Sequence, residues 1–63
     1  MKTHIAKNIR KLRKKYNMTQ KELGEKLNVS DKAISRWETG KNYPDLQTLV
    51  EISERFDVSL DAI

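Results

Sequence analysis

Two helix-start signals separated by one short turn constrain this 63-residue chain more than any other feature. Glu22 follows Thr19 by three residues, a spacing at which each side chain can accept a hydrogen bond from the other's backbone amide. Ser30 supplies a cap for a second helix, and Asn28 tolerates the left-handed conformation that ends the first. Two short helices must therefore meet at a steep angle.

Apolar residues at helical spacing extend this pattern in both directions. A first, amphipathic helix is predicted from apolar residues spaced by four, three and four, namely Ile5, Ile9, Leu12 and Tyr16. The second helix should cover about residues 20–27 and the third about residues 31–39, where Gly40 ends it. Ile34 and Trp37 share the inward face of the third helix, so we expect Trp37 to pack in the core.

The C-terminal part of the chain predicts a fourth helix and the start of a fifth. Asp45 can cap the fourth helix, whose apolar face would comprise Leu46, Leu49, Val50, Ile52 and Phe56. Residues 58–63 look like the start of a fifth helix capped by Ser59, but the chain ends after about one turn. The sequence therefore predicts one compact all-α domain of four to five helices with a central helix-turn-helix.

Composition argues against catalysis and metal binding. The single histidine, His4, lies near the N-terminus, and the chain has neither cysteine nor a glycine-rich phosphate loop. We therefore predict no enzyme activity, no metal and no cofactor. No apolar run approaches the roughly 20 residues of a membrane span, so we expect no membrane partner and a soluble, cytoplasmic protein.

Charge is distributed unevenly along the chain. Residues 1–21 hold eight of the 13 lysines and arginines and none of the nine acidic residues. Residues 42–63 hold Arg55 as their only basic residue, against five acidic ones. A polyanion would therefore approach the N-terminal side of the domain.

From about Ile5 to Ile63 the chain resembles the helix-turn-helix domain of phage repressors, Cro and the XRE-type bacterial regulators. The likeness is carried by Gln20, Leu23, Val29, Ser30, Ile34, Ser35, Trp37, Glu38, Gly40, Lys41 and Pro44. The resemblance implies that residues 1–63 form a DNA-binding domain whose third helix enters the major groove, which is roughly 12 Å wide. Such a chain is either a compact regulator near its minimum length or the DNA-binding part of a longer one.

Two positions depart from the family's usual residues. Gly24 occupies a position where alanine is usual, and Asn28 replaces the usual glycine of the turn. Asn28 still tolerates a left-handed backbone. Gly24 is expected to weaken its helix by about 1 kcal/mol relative to alanine.

The start and outer face of the third helix carry the candidate base contacts, which are Ser30, Asp31, Lys32, Ser35 and Arg36. Lys32 and Arg36 lie one turn apart, and each can donate to the acceptor edge of guanine. The alternative for Lys32 is a nonspecific phosphate contact. Asp31 either accepts from a cytosine amino group or orients a neighbouring basic side chain, and we favour the second role.

Candidate phosphate contacts flank that helix and comprise Thr19, Gln20, Lys41 and Asn42. Gln20 opens the second helix, where free amides and the helix dipole attract an anion, and the resemblance implies that it clamps the DNA backbone. The loop with Lys41 would fix the register of the protein on DNA. The resemblance also implies a structural salt bridge between Arg13 and Glu38.

Together these features favour sequence-specific binding of double-stranded DNA by a bacterial or phage transcriptional regulator. The resemblance implies a homodimer on an inverted-repeat site. The alternative is an antitoxin-like or bridging module that uses the same fold to bind a protein partner, which the acidic fourth helix keeps open. RNA binding is less favoured, because Trp37 and Phe56 are both predicted to be buried. The sequence identifies neither an effector nor a protein partner.

Overall fold

The computed structural model describes residues 4–60 and residue 63, which form four helices and no strand. The helices are α1 (Ile5–Lys15), α2 (Gln20–Leu27), α3 (Asp31–Glu38) and α4 (Leu46–Phe56). The predicted all-α architecture is confirmed, with α2 at its predicted bounds and α3 one residue shorter than predicted. Within the described residues, no helix is long and apolar enough to cross a membrane.

Side-chain caps begin three of the four helices. At α2, Thr19 Oγ1 accepts from the Glu22 amide at 3.0 Å, and Glu22 Oε1 accepts from the Thr19 amide at 2.8 Å. Ser30 caps α3 through a 3.1 Å hydrogen bond, and Asp45 caps α4 through one of 2.8 Å. Each cap satisfies a backbone amide that has no partner inside its helix. The caps predicted at Thr19, Ser30 and Asp45 are confirmed.

All four helices end in the same way, with a residue at positive φ just beyond the helix. These residues are Asn17, Asn28, Gly40 and Asp57. The amide that follows each one bonds back to a carbonyl five residues earlier, as Val29 does to Gly24 at 2.8 Å. Asn28 has φ 63°, so the predicted left-handed turn is confirmed.

The turn at residues 28–30 approaches α2 so closely that it requires glycine at position 24. A Cβ atom placed on Gly24 would lie 2.6 Å from the carbonyl oxygen of Val29 and 3.2 Å from the carbonyl carbon of Ser30. Both neighbours are backbone atoms, so the contact could be relieved only by moving the turn. The intrinsic cost of glycine in a helix is therefore offset by a tighter packing of α2 against α3.

α3 lies at the centre of the packing and contacts both α1 and α2. The buried core comprises Ile9, Met18, Leu23, Leu27, Ile34, Trp37, Ile52 and Phe56. The predicted burial of Trp37 is therefore confirmed. Because α3 presents Ile34 and Trp37 to this core, its opposite side is left on the surface.

Three predicted core residues are exposed instead. Tyr16 follows the last residue of α1 and is 47% exposed, although its ring packs against Phe56 with centroids 5.3 Å apart and an interplanar angle of 46°. Leu46 and Val50 on α4 are 71% and 37% exposed. Val50 lies two positions before the buried Ile52, and residues two apart on a helix face different ways. The small core therefore covers only the side of α4 that carries Ile52.

The predicted fifth helix includes residues 61 and 62, which lie outside the described residues. On either side of them, the amide of Ile63 donates to the Leu60 carbonyl at 3.2 Å. The side chain of Asn8 donates to the Ile63 carbonyl at 3.3 Å. Residue 63 is thereby joined to α1.

Replacing Gly24 with alanine should lower the free energy of unfolding by about 1–3 kcal/mol, because the overlap with the Val29 carbonyl outweighs the gain in helix propensity. Urea denaturation of Gly24→Ala would measure the change. Glu25→Ala, an exposed neighbour on the same helix, is the control and should stay close to the parent chain. A Gly24→Ala variant more stable than the parent would contradict the close-approach argument.

Candidate nucleic-acid interface

The outer side of α3 carries four of the five candidate base contacts in exposed positions. Ser30, Asp31, Lys32 and Arg36 are exposed, whereas Ser35 is half-buried. Lys32 and Arg36 are four residues apart and so lie on one face, one turn from each other. The structure therefore brings the two basic candidates together on a helix whose other side is anchored in the core.

Asp31 does not show the local pairing that the sequence favoured. Within residues 4–60 and 63, the ion pairs join Arg10 to Glu38, Arg13 to Glu38 and Arg55 to Glu51. Asp31 takes part in none of them. In the structure without DNA, Asp31 therefore does not orient a neighbouring basic side chain through an ion pair among the described residues.

The start of α2 places Thr19 and Gln20 differently. The Thr19 hydroxyl oxygen is engaged in the capping box but keeps its own proton for donation. Gln20 is half-buried, and its side-chain Nε2 donates to Glu38 Oε1 at 3.2 Å. One N–H of the Gln20 amide therefore points into the domain and the other is available to an outside acceptor.

The loop after α3 contributes exposed side chains, while its first two backbone amides are bonded within the domain. The Gly40 amide donates to the Trp37 carbonyl at 3.3 Å, and the Lys41 amide donates to the Arg36 carbonyl at 2.9 Å. These bonds close the end of α3. The Lys41 and Asn42 side chains are exposed and remain able to contact a phosphate.

A buried carboxylate at the last residue of α3 links three helices. The Glu38 side chain is 2% exposed and accepts from Arg13 twice, from Nε at 2.6 Å and from Nη2 at 3.0 Å. Arg13 also donates to the Met18 carbonyl at 3.0 Å. With Gln20 and Arg10, which approaches at 3.8 Å, these residues form the Glu38 cluster. The sequence indicated only its Arg13–Glu38 member, and only through the family resemblance.

The Glu38 cluster keeps its carboxylate ionised. Burial alone would raise the pKa of Glu38, but hydrogen bonds from Arg13 and Gln20, with the charges of Arg13 and Arg10, outweigh it and hold that pKa below its ordinary value. The hydrogen bond to Glu38 in turn raises the pKa of Arg13. Removing one partner of such a buried pair costs about 3–5 kcal/mol, since the other charge is left uncompensated.

Surface charge separates into a basic and an acidic region. The exposed basic residues of α1 are Lys7, Arg10, Lys11, Lys14 and Lys15. On α4, Arg55 is paired with Glu51 at 3.0 Å, and Glu54 and Asp57 leave that end of the domain acidic. Within the described part of the chain, no three His, Cys, Asp or Glu residues are grouped to hold a metal ion. The interface is suited to an anionic partner.

Sequence comparisons identify relatives with a shared domain. A sequence profile described as helix-turn-helix matches residues 9–63. The chain is 46% identical over 55 residues to the HTH-type transcriptional activator BcrR of Enterococcus faecalis, an alignment that covers 87% of this chain and 27% of BcrR. It is 39% identical over 57 residues to the uncharacterized HTH-type transcriptional regulator YqaE of Bacillus subtilis, covering 90% and 49%. The chain thus spans half or less of these relatives.

Structural comparison finds the same fold in a repressor. The P22 c2 repressor in complex with synthetic operator 9T superimposes with a TM-score of 0.84 at 33% identity, covering 95% of this chain and 91% of that one. The solution structure of the DNA-binding domain of the same repressor gives a TM-score of 0.82 at 35% identity, covering 97% and 82%.

Acid should destabilise the domain partly through Glu38. Because its folded-state pKa lies below the ordinary value of 4.5, its contribution is complete above about pH 4.5 and is lost as the pH falls through the folded-state pKa. Glu38→Gln should be about 3 kcal/mol less stable than the parent at neutral pH, and this gap should narrow in acid.

Urea denaturation of both proteins between about pH 7 and pH 3 would measure that gap. The exposed Glu54→Gln is the matched control and should track the parent. Glu22 and Asp45 remain in every variant, and hydrogen bonds at their helix starts lower their pKa values, so some acid dependence persists. A parent-to-Glu38→Gln gap that stays constant down to the lowest pH would refute the assignment.

Proposed function

The chain belongs to the XRE-type helix-turn-helix family, and from that membership we propose that it binds double-stranded DNA sequence-specifically as a bacterial or phage transcriptional regulator. The observation that carries the proposal is the outer face of α3, where Lys32 and Arg36 are exposed while Ile34 and Trp37 anchor the helix from behind. Regulators of this class meet DNA in the cytoplasm, which is the location we propose.

In the proposed complex, α3 lies in the major groove and its side chains contact base edges. Arg36 can donate two parallel hydrogen bonds to guanine, and Lys32 can donate one or contact a phosphate. Ser30 and Ser35 can donate or accept. Asp31 either orients a neighbouring basic side chain on DNA, which is the role that the sequence favours, or accepts from a cytosine amino group.

Phosphate contacts would fix the register on both sides of α3. Thr19 and Gln20 stand at the start of α2, where the helix dipole favours an anion. Lys41 and Asn42 stand in the loop beyond α3 and contribute exposed side chains. Such contacts position the protein without reading sequence.

We further propose that the domain acts as a homodimer on an inverted-repeat site. Two copies related by a two-fold axis would place their α3 helices in successive major grooves, with half-site centres about 34 Å or 10 base pairs apart. We expect the 63-residue chain to pair mainly on DNA and to be monomeric or weakly dimeric without it.

A second candidate function is favoured by the outer side of α4. Leu46 is 71% exposed and Val50 is 37% exposed, beside the acidic end of that helix. An apolar surface near acidic residues suits a protein partner better than a polyanion. An antitoxin-like or bridging module would use this side, and it would not require a preferred DNA sequence.

Selection from random duplex DNA, followed by sequencing of the bound pool, tests the proposed function. We expect a consensus with inverted symmetry and a half-site spacing of about 10 base pairs. The double variant Lys32→Ala with Arg36→Ala is the control and should enrich no consensus. A parent chain that enriches no sequence would reject the proposal and favour the protein-binding module, whereas a consensus without symmetry would reject the dimer alone.

Loss of a base contact and loss of a phosphate contact should differ in kind. Arg36→Ala should cost about 1–3 kcal/mol on the selected site and relax the preference at one base pair. Lys41→Ala should weaken binding to all duplexes alike and reduce the salt slope by about one for each bound copy. Titrations at several salt concentrations, on the selected site and on single-base variants, would measure both.

Lys26→Ala is the matched control, because Lys26 is on α2, where it lines a surface pocket with Arg55 and Phe56, and is not one of the candidate DNA contacts. It should change affinity less than either variant. Equal losses for Arg36→Ala on every sequence would make Arg36 a phosphate contact and transfer base recognition to Lys32, Ser35 or Asp31.

A further inference from the structure

A second arginine, Arg10, approaches the Glu38 carboxylate, although Arg13 already neutralises its charge. Arg13 already occupies both carboxylate oxygens, at 2.6 and 3.0 Å. Arg10 Nε lies 3.8 Å from Oε1, which is too long for a hydrogen bond. Its one hydrogen bond in the described chain is a long one, from Nη2 to the Glu38 backbone carbonyl at 3.4 Å.

The charges of the Glu38 cluster do not balance. Two guanidinium groups face one carboxylate, so the cluster carries an excess positive charge. Arg13 is paired with the carboxylate, which leaves the excess charge on Arg10. The Arg10 side chain is 52% exposed against 16% for Arg13. A guanidinium has five N–H donors, and Arg10 uses one of them within the described residues.

Arg10 lies between the two segments that carry the proposed phosphate contacts. Its Nε and the Gln20 amide nitrogen approach the same oxygen, Glu38 Oε1, at 3.8 and 3.2 Å, so Arg10 is beside the start of α2. Its Nη2 bonds to the carbonyl that ends α3, next to the loop with Lys41. A phosphate bound by Gln20 would meet the free donors of Arg10.

We propose that Arg10 is a phosphate-binding residue of the DNA interface, oriented by Glu38 and contacting the same stretch of DNA backbone as Gln20. Glu38 draws the guanidinium towards the start of α2 without sequestering it, because Arg13 satisfies the carboxylate. The charge-assisted contact between guanidinium and phosphate is stronger than the long bond it replaces. This inference rests on the proposed function.

The salt dependence of DNA binding tests this role, since each lost phosphate contact lowers the slope of log K against log salt concentration by about 0.9. The variants are Arg10→Gln and, as a matched control, Lys15→Gln. Both remove one positive charge from exposed α1 residues. The Lys15 ammonium lies 5.8 Å from the Tyr16 ring, which packs against Phe56 of α4, and it makes none of the contacts of the Glu38 cluster among the described residues.

On the selected duplex, Arg10→Gln should reduce the slope by about one for each bound copy and weaken binding by about tenfold per copy near 0.1 M salt, while Lys15→Gln should change the slope by less than half as much. Arg10→Lys should restore the slope, because it keeps the charge. Thermal unfolding of each variant would check that the fold is intact. A purely structural Arg10 would lower the melting temperature and leave the slope unchanged.

Equal slopes for Arg10→Gln and Lys15→Gln, in a parent chain that binds DNA, would overturn the role of Arg10 and leave the proposed function standing. If Arg10→Lys folds but keeps the reduced salt slope of Arg10→Gln, that result would also count against a charge-based phosphate contact. A parent chain that binds no duplex at all would reject the proposed function and this inference together.

Discussion

The ion pair between Arg13 and Glu38 is the interaction on which the arrangement of this domain depends. α3 has eight residues and is too short to be stable alone, so tertiary contacts must hold it. Its inner side is fixed by Ile34 and Trp37, but apolar contacts do not specify the position of the helix end. The buried carboxylate does, because it is bound by α1 through Arg13 and by α2 through Gln20. The Glu38 side chain thus aligns the three helices that carry the proposed interface.

The contacts that align the three helices also connect the stability of the domain to its proposed binding of DNA. A carboxylate that is 2% exposed has to be fully satisfied, and the groups that satisfy it lie beside the exposed side chains proposed to contact DNA. Gln20 shows this most clearly, because one of its amide hydrogens bonds to Glu38 and the other has no acceptor among residues 4–60 and 63. The tight turn at Gly24 and Asn28 complements the ion pair by fixing the distance between α2 and α3. A rigid frame of this kind reduces the ordering that a bound ligand would otherwise require.

Sequence reasoning succeeded where structure is determined locally. The caps at Thr19 and Ser30 and the left-handed Asn28 depend on neighbours within a few residues, and all were predicted. The exposure of Tyr16 and Leu46 was not, because it depends on how far a small core reaches across each helix. The hydrogen bond from Gln20 to Glu38 spans 18 residues and has no periodic signal. The position of Gln20 at a helix start and the family resemblance suggested a phosphate contact but not this bond, and the close approach at Gly24 was likewise visible only in the folded chain.

Amide chemical-shift mapping by NMR, with the selected duplex added to the labelled chain, tests the central claim that α3 and its flanking segments form the DNA interface. The largest changes are expected at Lys32, Arg36 and the loop with Lys41, with a second group at the start of α2. The outer side of α4 at Leu46 and Val50 should change only where two copies meet. Changes confined to α4, with α3 unaffected, would contradict the account.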